Sequence, residues 1–212
     1  MSLPDPPVLV ITDRHQSRLP LPEMAKAVFA GGGRWLLLRD KDLPRAARTT
    51  LARQLVAIAA RFGATVLLSG DVAAALEAGA AGVHLPRDGD PGAARAALGE
   101  AALIGISAHD LGEVRRAAAA GADYATLSPI FASRSKPGYG PAVGHDALAE
   151  AAAAVAMPIL ALGGVTARRV RGCLEAGAAG VAVMGEVMGA EDPAAVVAAF
   201  ASACCRDCHI KA

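Results

Sequence analysis

Eight short runs rich in Val, Leu and Ile punctuate this chain: VLVIT (8–12), RWLLLR (34–39), TVLLS (65–69), GVHL (82–85), LIGIS (103–107), YATLS (124–128), PILAL (158–162) and GVAVM (180–184). Their length and branched content are those of β-strands. Between them lie Ala-rich, helix-forming stretches, among them EMAKAVFA, AARTTLARQLVAIAARF, DVAAALEAG, LGEVRRAAAAG, HDALAEAAAAVA and ARRVRGCLEAG, several of which stop at Gly. Runs this continuously apolar need both faces covered, which a parallel sheet sheathed by helices provides and a half-wetted antiparallel sheet does not.

The unit repeats. EAGAAGVHLP (77–86), AAGADYATLSP (119–129) and EAGAAGVAVMG (175–185) share one design of helix end, Gly-Ala turn and buried strand. Eight such units with right-handed crossovers close most economically into a (β/α)8 TIM barrel. The competing open, doubly wound sheet normally carries fewer strands and a glycine-rich turn after the first; here the first strand runs into ITDRHQ. At 212 residues, 54% of them hydrophobic, the chain reads as one α/β domain over 1–212, with a tail from about 204 to 212.

Charge and cysteines exclude several classes. Lys plus Arg number 21 against 20 for Asp plus Glu, so nothing points to nucleic acid or an anionic membrane, and any anion site must be local. No run reaches membrane-span length and the N-terminal stretch lacks the pattern of a secretory signal, so the expectation is a cytoplasmic protein. Cys204, Cys205 and Cys208 cluster at the C-terminal end, too far from the body for a disulfide framework; CxxCH without a second ligand cluster reads as an inert tail.

In a barrel, function sits on the loops leaving the strands' C-terminal ends. Arg39 and Lys41, two apart after the second run, would share one side and clamp a polyanion such as pyrophosphate; a solvated helix entry is the plainer alternative. Gly163 and Gly164, followed by a helix N-terminus, and Met184 with Gly185 after the last run form a candidate phosphate cradle, although a tight turn would also demand glycine there. Ser107 and His109 follow the fifth run, where Ser107 could bond a substrate heteroatom and His109 either cap a helix or sit at the surface. His84 reads equally as a barrel-interior histidine and a substrate contact. No nucleophile–base pair and no zinc-ligand cluster appears.

The long connection SPIFASRSKPGYGP (128–141) completes the pattern. Taken with ITDR, R-D-K, GVHL, IGISAH, LGGV and GVAVM, in that order, it makes the chain resemble the thiamine phosphate synthases and the related thiazole tautomerases over nearly its whole length. The synthase resemblance implies a transferase joining an aminopyrimidine methyl pyrophosphate to a thiazole phosphate with Mg2+ assistance, releasing pyrophosphate and giving thiamine phosphate. It implies that Arg39, Lys41 and Lys136 hold the pyrophosphate and that Ser107 contacts the pyrimidine. Ser133, Ser135 and Gly164, with the turn after Val183, would hold the thiazole phosphate. Related barrels often form dimers, so a homodimer is the macromolecular partner the resemblance admits.

The chain also departs from that pattern. Leu37 stands where the synthases have Gln, and Gly70 and Gly89 stand at the positions expected to carry the Mg2+ carboxylates. Asp71, Asp88 and Asp90 lie one residue away and are the candidate metal ligands; the alternative is that they cap helices or solvate loops. The tautomerase alternative needs no metal, but the histidine some tautomerases carry before the long loop is Pro129 here. A non-catalytic thiazole- or phosphate-binding barrel is the third reading.

Overall fold

The computed structural model describes residues 2–132 and 140–205. Eight parallel strands, β1 (Val8–Ile11), β2 (Trp35–Leu38), β3 (Thr65–Ser69), β4 (Gly82–Leu85), β5 (Leu103–Ala108), β6 (Tyr124–Leu127), β7 (Ile159–Leu162) and β8 (Gly180–Val183), pair in chain order and close where β8 meets β1. The helices are α1 (Leu21–Ala30), α2 (Arg45–Ala60), α3 (Val72–Ala78), α4 (Pro91–Leu98), α5 (Leu111–Ala119), α6 (Gly144–Ala154), α7 (Ala167–Glu175), α8 (Gly185–Met188) and α9 (Pro193–Cys204). This is the (β/α)8 barrel the strand pattern predicts. None of the described helices is long and apolar enough to cross a membrane.

Both strand faces are buried, and each packs into its own apolar cluster. One face meets the helices; the other fills the barrel with Leu9, Ile11, Trp35, Leu37, Leu67, Leu103, Tyr124, Leu160 and Ala182. Inside, the edge of one aromatic ring meets the other, with the Trp35 and Tyr124 centroids 4.8 Å apart. Gly105 pairs with Tyr124 across β5 and β6 and lies beside His84 of β4. A Cβ on Gly105 would lie 2.0 Å from Tyr124 Cζ, so the missing side chain leaves the space this ring and its hydroxyl occupy.

Helix starts follow local chemistry. Asp71, Asp90, Asp110 and Asp192 each cap a helix by accepting the N–H three residues on. Three helices lie outside the segments the composition singles out: α4, the four-residue α8, and α9, which returns against α1 and α7. Cys204 ends α9 and is buried, and residues 206–212, with Cys208, lie outside the described residues.

Gly105→Ala is expected to lower the unfolding free energy by about 2 kcal/mol or more, as overpacking of a filled core does. Urea denaturation of the variant measures it; a loss below about 0.5 kcal/mol would mean that the Tyr124 ring does not need this space.

Candidate active site

A cavity of about 1000 Å³ opens at the C-terminal end of the barrel. Arg39, Lys41, Ser107, Gly163, Gly164, Met184 and Gly185 all line it, as do His84 and His109. Ser133, Ser135 and Lys136 lie outside the described residues. Its wall is divided by chemistry. Ile11, Leu37, Leu162 and Ala182 of β1, β2, β7 and β8 make an apolar side, while Ser69, His84, Ser107, His109 and Ser128, on and after β3 to β6, make a hydrogen-bonding side.

The hydrogen-bonding side is anchored inside the barrel. His84 is buried; its Nδ1 lies 3.0 Å from the Tyr124 hydroxyl and its Nε2 lies 3.0 Å from Ser107 Oγ and 3.4 Å from Thr126 Oγ1. Burial, with the Lys41 charge as the lesser cause, lowers its pKa to about 3, so the ring is neutral near pH 7. Burial, and to a lesser extent Asp123, raises the Tyr124 phenol well above its usual value and keeps it protonated. With both ring nitrogens engaged, His84 orients Ser107 rather than acting as a base. His109 is also fixed: Nδ1 donates to the Ser128 carbonyl at 2.8 Å, and its backbone N–H donates to Glu113 Oε2 at 2.8 Å. The cap of α5 is Asp110, not His109.

The cations after β2 are set by a buried carboxylate. Asp40 accepts from Thr12 Oγ1 at 2.5 Å and from the Arg14 N–H at 2.8 Å, and Thr12 Oγ1 in turn accepts the Arg39 N–H at 3.0 Å. Asp42 is engaged by His15 at 2.8 Å and Arg14 at 2.5 Å, which together hold its carboxyl well below the usual range. Arg39 pairs with Asp13 at 3.6 Å; among the described residues Lys41 has no ion-pair partner.

Across the apolar strip formed by Ile11 and Ala182 lies the second polar end. Gly163 and Gly164 have φ of 94° and 60°, and a Cβ on either would strike Pro129 or Phe131. Turn geometry and close packing therefore both require glycine here, and the turn also lines the cavity. Arg169 donates to the Gly164 carbonyl at 2.8 Å and lies 4.5 Å from the centre of the Phe131 ring, which braces the turn. Gln16, Thr166, Arg168, Arg169 and Glu186 also line the cavity and carry no strand-spacing signal; only TARR, at the start of a helix after a Gly-Gly turn, hints at them.

The candidate metal ligands are not assembled. Asp71 Oδ1 accepts the Ala74 N–H at 2.8 Å and its Oδ2 accepts from Arg48 at 2.6 Å; burial pushes its pKa up, but these two partners outweigh it and hold the carboxyl below the usual range. Asp90 caps α4 through the Ala93 N–H at 2.9 Å, and Asp88 is exposed. Among the described residues no group of three or more His, Cys, Asp or Glu side chains could hold a metal ion. The described carboxylates therefore do not fit a Mg2+ site.

Comparison with known proteins agrees with the fold. Residues 8–187 match the family model described as thiamine monophosphate synthase. The chain is 40% identical to a thiamine-phosphate synthase of Salinispora tropica over 92% of its own length and 95% of the relative's. It is 36% identical to a thiamine-phosphate synthase of Roseiflexus castenholzii, covering 91% and 86% of the two chains. Among solved structures, the thiamine phosphate pyrophosphorylase from Pyrococcus furiosus superposes with a TM-score of 0.83 at 27% identity, covering 93% of this chain and 94% of that one.

The His84 environment has a pH signature. An imidazole in the unfolded chain protonates near pH 6.5, whereas that of His84 in the fold waits until about 3. Between those values the unfolded state binds the extra proton. This single group therefore lowers stability as pH falls through that window, by at most about 1.4 kcal/mol per pH unit. Imidazole 15N shifts of His84 are expected to stay constant from neutral pH down to about 4.5; a midpoint near 6 would overturn the buried, neutral assignment.

Proposed function

Since the chain belongs to the thiamine monophosphate synthase family, we propose that it joins an aminopyrimidine methyl pyrophosphate to a thiazole phosphate, releasing pyrophosphate and forming thiamine phosphate. The observation that supports this reading best is one cavity with two separate anion-suited ends, Arg39 and Lys41 after β2 and the Gly163–Gly164 turn with α7 after β7. Two substrates that each carry phosphate need such an arrangement, with their reacting rings between the ends.

The chemistry asks for electrostatics and alignment. The bond between the pyrimidine methylene carbon and the pyrophosphate oxygen breaks, its electron pair leaving with the pyrophosphate. The thiazole nitrogen then supplies the pair that forms the new C–N bond. Arg39 and Lys41 oppose the charge growing on the leaving group, an effect that is largest where water is excluded. Ser107, oriented by His84, offers the pyrimidine a fixed hydrogen-bonding partner. The apolar side, with Leu37 and Ile11, lets the two rings approach without competing water. No protein nucleophile is needed, in keeping with a His84 whose two nitrogens are both engaged. In this reading Lys136, Ser133 and Ser135 add to the phosphate contacts.

Purified protein incubated with both substrates is expected to release thiamine phosphate and pyrophosphate in equal amounts. Arg39→Gln is expected to lower turnover by about 100-fold or more. Product no higher than in a protein-free control would sink the reading; isomerisation of the thiazole phosphate alone would replace it with the tautomerase, and ligand binding without turnover with the non-catalytic barrel.

A further inference from the structure

The misfit between the expected cation and the residues present lies at the pyrophosphate end of the cavity. Gly70, at the end of β3, has φ of 70° and donates its N–H to the His84 carbonyl at 2.9 Å. That is left-handed backbone, which side chains rarely adopt. Gly89 closes a turn by donating to the Pro86 carbonyl at 2.9 Å, and a Cβ there would lie 2.7 Å from Leu85 Cβ. Both positions are thus committed to glycine by the backbone around them. The neighbouring acids are committed too: Asp71 to the α3 cap and Arg48, Asp90 to the α4 cap.

A cation is nevertheless present. Lys41 Nζ lies 4.0 Å from the point a Cβ on Gly70 would occupy, so an ammonium reaches the space that a carboxylate at position 70 would enter. Two carboxylates holding a divalent ion contribute no net charge to such a site, so glycines at both positions without the ion leave the net charge the same, with the Lys41 ammonium as its positive group. Adding a divalent cation would instead set it against Lys41 with no carboxylate between them.

We propose that at this end of the cavity the Lys41 ammonium stands in for a divalent cation, so that pyrophosphate binds and leaves with its charge met by basic side chains, Lys41 and Arg39 among the described residues, and without a bound metal. This rests on the transferase reading for its substrate. The step is balanced as written there: the C–O electron pair departs on the pyrophosphate, and no metal-bound species forms.

Calorimetric titration of the full chain with inorganic pyrophosphate, once in excess EDTA and once in excess Mg2+, tests the proposal. The dissociation constants are expected to agree within about tenfold; weakening in EDTA beyond about tenfold overturns it. Lys41→Met, with its fold checked by circular dichroism, is expected to weaken binding in EDTA by about tenfold or more, while Lys41→Arg, which keeps the charge, retains most of it. Unchanged binding by Lys41→Met also overturns the assignment. Product formation is measured separately in both buffers, so a protein that binds pyrophosphate without metal yet makes no thiamine phosphate counts against the transferase alone.

Discussion

A strand in a closed parallel barrel has no wet face, and the organisation of this site follows from that. Below the mouth, a buried polar atom costs free energy unless another atom satisfies it, and Trp35 Nε1 is an interior exception without a partner among the described residues. The chain concentrates polar side chains at the upper ends of β3 to β6 and links them to the core through one relay, Tyr124 to His84 to Ser107. Gly105 makes the relay possible by leaving room for the Tyr124 ring. An absent side chain in the middle of β5 thus sets the direction of a hydroxyl two residues later.

The same economy governs charge at the mouth. Asp40 and Asp42 stitch the β1 and β2 loops together through Thr12, Arg14 and His15, Asp13 holds Gln16 and Arg39, and Asp71 and Asp90 cap helices. Burying Asp40 would be costly alone; two hydrogen bonds offset that cost and fix the backbone from which Arg39 and Lys41 project. These acids have become scaffold, while Arg39, Lys41, Arg168 and Arg169 line the cavity, with Glu186 the acid among its described lining residues.

How legible this was in sequence depended on whether periodicity carries the information. Strands buried on both faces leave continuous apolar runs, so all eight strands and their order could be read, with ends differing by at most one residue. Arg39, Lys41 and Ser107 were readable because side chains two apart on an extended segment share a face. Helix α9 was not, since Ala and Val surround it with no polar stripe to mark a face, and α4 hides behind the turn-like RDGDPG. Gln16, Arg168 and Arg169 come from loops and a helix start, whose direction no period encodes. Asp71 and Asp90 mark the sharpest limit: a capping aspartate and a metal-binding one are the same letter, and what separates them is the left-handed turn at Gly70 and the crowding around Gly89.

The Lys41 ammonium connects these strands of argument. It acts on His84 as well as on the cavity, since its charge is the second cause, after burial, of that ring's depressed pKa. A nearby ammonium disfavours the protonated imidazole, and the Tyr124 and Ser107 contacts engage both ring nitrogens without a proton being taken up. A bound anion would relax the repulsion between Lys41 and a protonated ring, yet the ring would still have to leave the packed interior to be hydrated. Anion binding and release can therefore proceed at Lys41 while the ring that orients Ser107 keeps its charge and position. The barrel separates a leaving-group site after β2, whose charge changes during the reaction, from a recognition site on β4 and β5, whose charge does not, with β3 between them.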